Sequence, residues 1–109
     1  MEYGLTFVVD MYDFENDEEM HVLTMPGDYI RTTRWMRESG AEDESEMVTN
    51  LRRNYAIAWH ALKRRGKLAE AGLPDELDLE AVDAMADRFS VFVNEMSGEL
   101  LPLTRGRAV

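Results

Sequence analysis

The chain has 109 residues, the size of one domain, and its 45% hydrophobic and 31% charged residues exclude global disorder and low-complexity polymers. It has no cysteine, which excludes disulfides, thiolate nucleophiles and cysteine zinc sites and suits a reducing cytoplasm. Its 22 acids against 12 bases give a net charge of −10, a poor balance for holding DNA or RNA, and no apolar run approaches the roughly 20 residues that cross a bilayer.

The N-terminus has no basic segment ahead of its short apolar stretch, so no secretion signal is expected. Charge is divided lengthwise: residues 1–50 hold 13 acids and 3 bases, a net of −10, whereas residues 51–109 hold 9 of each, a net of 0.

Residues 5–12, LTFVVDMY, are rich in β-branched and aromatic side chains, and Leu5, Phe7, Val9 and Met11 recur at the strand period of two. The polar run Glu15-Asn16-Asp17-Glu18-Glu19 separates them from a second apolar run, Met20 to Met25, so an antiparallel hairpin over about 4–25 is predicted, stopped by Pro26-Gly27. Asp28 is placed to cap a first helix over about 28–38, with Tyr29, Ile30, Thr33 and Met36 on its apolar face and Gly40 at its end. Asp43-x-x-Glu46 has the pattern of a capping box for a second helix over about 44–65. There Met47, Val48, Leu51, Tyr55, Ala58, Trp59 and Leu62 form a stripe about 120° wide, Lys63, Arg64 and Arg65 oppose the macrodipole in the last turn, and Gly66 supplies a left-handed end. Residues 67–78 read as a connector with room for one helical turn. Asp78 then caps a third helix over about 79–97, whose positions Val82, Met85, Ala86, Phe89, Phe92, Val93 and Met96 keep three- and four-residue spacings before Ser97-Gly98. The tail, 99–109, has no period and is expected to be loose. The fold expected is therefore α+β and mainly helical: one domain over 1–98, an N-terminal antiparallel β-hairpin packed with three α-helices.

Catalytic chemistry is not evident. The chain has no HExxH, Walker A, GxSxG or GxGxxG pattern, and its two histidines, His21 and His60, read as structural. Asp13-x-Glu15-x-Asp17 begins like a calcium loop, but Glu18 stands where the loop needs glycine and Thr24 where it needs glutamate, so a solvated acidic turn is expected. No metal and no cofactor is predicted, and no enzymatic activity. The candidate site residues are for partner binding. Arg52, Arg53, Lys63, Arg64 and Lys67 fall within about 120° of arc beside the apolar stripe, if the helix persists to Lys67. They read as a solvated face or as a docking stripe for acidic protein, including the acidic half of another copy. Trp35 lies with Arg31 and Arg34 away from the expected apolar face, either as core against a second element or as an interface anchor.

The acidic β-rich start, TMPGDYIRTTRWMRESG, YAIAWHALKRRG, an acidic connector and a final amphipathic segment together resemble the tail assembly chaperones of long-tailed bacteriophages and prophages. The resemblance covers residues 20–97. A helix with an alanine-tryptophan pair followed by leucine, basic residues and glycine is a recurring feature of that family, matched by Ala58-Trp59-His60-Ala61-Leu62-Lys63-Arg64-Arg65-Gly66. PGDYIRTTRW looks like the variant found in phages of Gram-positive hosts. The resemblance implies a non-enzymatic, self-associating cytoplasmic protein of the bacterial host. It implies binding of the aggregation-prone tape measure protein, help in recruiting tail tube protein, and absence from the mature virion. The rival function is an acidic inhibitor or antitoxin-like protein masking a basic nucleic-acid-binding surface, for which the −10 charge of the first half speaks.

Overall fold

The alternating apolar residues of the N-terminal segment form strand β1 (Thr6–Asp13), which turns through residues 14–17 into β2 (Glu18–Leu23). The computed structural model describes residues 6–96; the start of the predicted hairpin and the tail 99–109 lie outside the described residues. Val9 pairs with Val22 and Met11 with Met20, the antiparallel register expected of the hairpin. Helices α1 (Pro26–Ser39) and α2 (Glu46–Arg64), the one-turn α3 (Leu68–Ala71) and α4 (Leu79–Arg88) follow, and the chain ends its described course in β3 (Phe89–Met96). The fold is α+β and mainly helical, with a three-stranded antiparallel sheet in the order β2-β1-β3.

The third predicted helix is thus only half a helix. It stops at Arg88, and Phe89 takes φ −115° and ψ 147°, so the chain passes directly into the strand. The spacings of Phe89, Phe92, Val93 and Met96 fit a helix, but Phe89, Val91 and Val93 also alternate at period two in a β-branched and aromatic run. The open edge of β1 decides between them: Phe89 pairs with Asp13, Val93 with Val9 and Met96 with Thr6, which satisfies backbone groups that a lone hairpin would leave bare.

The inner face of the sheet presents Val9, Met11, Val22, Phe89 and Val91 to Tyr55, Ala58, Trp59 and Leu62 of α2 and to Val82 and Met85 of α4. The two ring donors of α2 are spent on backbone acceptors within this core. Tyr55 OH donates to Phe89 O at 2.6 Å, and Trp59 Nε1 donates to Pro74 O at 3.0 Å. The helix ends follow their sequence signals at Gly40 and Gly66, with φ of 71° and 69°, and at Asp78, whose carboxylate accepts from Ala81 N at 2.7 Å. The predicted Asp43 box is displaced: Ser45 is the cap, accepting from Val48 N at 3.3 Å, and Asp43 instead folds the preceding turn by accepting from Ser45 N at 2.9 Å.

Tyr55→Phe removes a hydroxyl but leaves the buried Phe89 carbonyl without that donor, so urea unfolding should show a loss of about 1–2 kcal/mol with an unchanged m-value.

Candidate functional site

Helix α1 begins two residues earlier than predicted, with Pro26 at its first position, and Asp28 acts from inside the first turn. The Asp28 carboxylate accepts from Met25 N at 2.8 Å, closing the helix start from within. Its side chain is 0% exposed, and two arginines complete its coordination: Arg31 Nη2 at 2.8 Å, and Arg64 Nε at 3.1 and 3.2 Å from the two oxygens. Burial pushes this carboxyl up, but the Arg64 guanidinium, the Met25 N–H and Arg31 outweigh burial and hold it below its ordinary value.

The same edge of α1 continues into α2. Thr32 is buried and its Oγ1 lies 3.1 Å from His60 Nδ1, which is also 2.8 Å from Ala56 O. A carbonyl only accepts, so Nδ1 carries a proton. Burial pushes its pKa below 6.5, with the Ala56 hydrogen bond acting against that shift. Met36 follows one turn on, and beyond the end of α1 Arg52 Nη1 donates to Ala41 O at 3.0 Å.

This polar ladder corrects the predicted face of α1. Asp28, Thr32 and Met36 are buried, whereas Ile30, assigned to the core from sequence, is 59% exposed. An amphipathicity count weighs Ile30 above Asp28 and Thr32; it misses that Asp28 is met by Arg64, Arg31 and the Met25 N–H and Thr32 by His60, which offsets the cost of burying them. The rotation also carries Trp35 inward. Its indole is half-buried against the core and donates to Leu77 O at 3.0 Å, so both tryptophans pin the connector between α3 and α4.

The predicted basic stripe is divided among several tasks. Arg64 binds Asp28 and also donates to Leu23 O at 2.9 Å, and Arg31 binds Asp28. Arg53 donates to Asn50 Oδ1 at 2.6 Å, and Lys63 lies 5.0 Å from the centroid of the Trp59 ring. Lys67 falls outside α2, because the helix ends at Arg64 and Gly66 turns the chain; it caps α3 and pairs with Glu70 at 3.6 Å. Arg31, Lys63 and Arg64 do come together, around a hollow of about 420 Å³ floored by Trp59 and His60. Arg34 is exposed beside Arg37, a residue absent from the predicted set, and among the described residues neither is in an ion pair.

The apolar stripe of α2 outruns the core: Tyr55 to Leu62 are buried, but Met47 is 71% and Leu51 48% exposed, with Val48 half-buried between them. The outer face of the sheet carries Leu23 and Phe92 around Asp10, which accepts from Asn94 Nδ2 at 2.6 Å and lies 2.6 Å from His21 Nδ1; that contact raises the exposed His21 above 6.5. Among the described residues no three His, Asp or Glu side chains form a group able to hold a metal ion, and no helix is long and apolar enough to cross a membrane. No protein-family model, no curated protein and no solved structure matches the chain.

Arg64→Met strands a buried carboxylate with only one cation and should cost about 2–4 kcal/mol in urea unfolding, whereas Arg53→Gln should stay within about 0.5 kcal/mol. The histidines give opposite pH signs. His60 is depressed in the fold, so its contribution is complete above pH 6.5 and is lost as the pH falls through its folded value; the raised His21 contributes below 6.5 and loses that as the pH rises. His60→Gln should therefore abolish a fall in stability on acidification from about pH 6.5 to about pH 5, read from urea midpoints at each pH.

Proposed function

We propose that this protein is a tail assembly chaperone of long-tailed bacteriophages and prophages. In this reading it is not an enzyme. It binds and solubilises the tape measure protein in the cytoplasm of the bacterial host, helps recruit tail tube subunits, self-associates, and is left out of the mature virion. The observation that carries the reading is the unspent apolar stripe of α2, where Met47 and Leu51 stand one turn apart in water at the end of a helix whose other apolar positions are core. A long, aggregation-prone helical client offers the complementary surface, an apolar edge that packs against such a stripe at i and i+4. The chain's excess of acid keeps a loaded complex in solution by mutual repulsion.

A second feature supports it. The two segments that carry the family resemblance, PGDYIRTTRW and AWHALKRRG, are the two sides of one interface, joined through Asp28–Arg64 and Thr32–His60. Residue types that look like surface decoration in each segment alone have a joint structural reason, which is what a shared scaffold requires.

Co-expression with the tape measure protein of its phage should keep that protein soluble and allow its capture in a pull-down. Met47→Glu with Leu51→Glu should abolish capture while shifting stability by no more than about 1 kcal/mol, since neither side chain is buried. Failure of the wild-type chain to capture the tape measure protein would sink the reading.

A further inference from the structure

The β1–β2 turn is built as a rigid knob. The Asp13 carboxylate accepts from Glu15 N at 2.9 Å, from Asn16 Nδ2 at 2.9 Å and from Arg88 Nε and Nη2 at 3.0 and 2.8 Å, and Asp17 takes the left-handed conformation with φ 54°. The one apolar side chain of the turn, Phe14, is 67% exposed, yet it is not loose. Its N–H donates to Arg88 O at 3.0 Å and its ring stands edge-on to Tyr12, with centroids 4.8 Å apart. Glu15 and Asp17 on the same turn and Glu18 at the start of β2 are exposed. An aromatic ring already ordered among carboxylates pays little entropy on docking.

Helix α1 carries a surface of the opposite kind. Ile30 lies on the side of the helix away from Asp28 and Thr32, and at about 100° per residue Arg34 and Arg37 fall within about 40° of it. With Tyr29 and Thr33 they line an open hollow of about 330 Å³. Arg31, Arg64 and Arg88 are each engaged with a carboxylate of their own fold, and Arg34 and Arg37 are not. In a chain of net charge −10, two unneutralised guanidinium groups beside an exposed isoleucine select an acidic partner with an apolar tip.

We infer that the Phe14 turn of one copy docks on the Ile30–Arg34–Arg37 face of α1 in a second copy. Phe14 packs on Ile30 and Tyr29, and Glu15, Asp17 and Glu18 face the two arginines. Knob and seat share no residue, so a single contact leaves a free seat on one copy and a free knob on the other, and these either close on each other about a two-fold axis or take up further copies head-to-tail. A single contact of this size is weak, with a dissociation constant on the order of 10–100 µM, and depends on salt. The inference goes beyond client binding and does not rest on it.

The natural absence of cysteine makes the test direct. Chains carrying Phe14→Cys and Ile30→Cys, mixed at about 100 µM under mild oxidation, should form a disulfide-linked heterodimer, because the two side chains meet within bonding distance; Met47→Cys in place of Ile30→Cys should form none. By sedimentation velocity, Arg34→Glu with Arg37→Glu, and separately Glu15→Arg with Glu18→Arg, should each lower self-association by about tenfold, and their equimolar mixture should restore it. All these positions are exposed, and unchanged circular dichroism and urea midpoints confirm folding of each variant. A wild-type chain that stays monomeric overturns the inference, as does self-association that neither charge reversal reduces. Loss of tape measure capture on Arg34→Glu with Arg37→Glu, in a chain that does not self-associate, also overturns it and assigns the face to the client. Self-association is read without the client, so its failure removes self-association from the proposed function and leaves tape measure binding to its own pull-down.

Discussion

Asp28 is withdrawn from water in a chain that already has ten excess negative charges, and it is held there because Arg64, Arg31 and the Met25 N–H converge on its two oxygens. A buried ion pair of this kind adds little net stability over a well-packed apolar equivalent, since desolvation offsets most of the attraction. What it does supply is direction. With the carboxylate fixed, the next residues on its edge of α1 must also face α2: Thr32 meets His60, Met36 enters the core, and Trp35 swings to where its indole reaches Leu77 O. The connector between α3 and α4 is then held by two indole donors, from Trp35 and Trp59, and that in turn positions the start of α4. One carboxylate thereby sets the rotation of a helix and the path of a loop far along the chain.

Much of this architecture was legible in the sequence, because its signals were local. Alternation in β1, the acidic turn, the apolar stripe of α2, the glycine ends at Gly40 and Gly66 and the Asp78 cap each depend on neighbours within a few residues. The parts that escaped depend on partners distant in sequence. Burial of Asp28 and Thr32 makes sense only once Arg64 and His60 are opposite them. The strand at Phe89–Met96 is favoured over the helix continuing from α4 only because β1, some eighty residues earlier, has an edge to fill. The candidate site divides in the same way. Residue type identified the cations, but which are consumed internally and which remain free is a property of the assembled fold, and Arg37 gave no separate signal at all.

The division of the basic residues has a bearing on recognition. Arg31, Arg52, Arg64 and Arg88 act inward, on Asp13, Asp28 or the Leu23 and Ala41 carbonyls, and the surface they leave behind carries the excess acid of the chain. Against such a background the outward arginines of α1 are conspicuous to any acidic surface. The apolar end of α2 offers a different attraction that salt does not screen. The two surfaces are chemically distinct, one whose attraction falls with ionic strength and one whose attraction is indifferent to it.

The position of β1 at the centre of the sheet has a further consequence for the nascent chain. One of its neighbours follows after a four-residue turn, but the other is separated from it by two long helices, a connector and α4. Until Phe89–Met96 has emerged from the ribosome, a central strand with an apolar inner face presents one unsatisfied edge, the geometry that invites pairing with the wrong strand. Completion of the sheet is thus a late, long-range event during synthesis, and the last described segment acts as the latch that closes it.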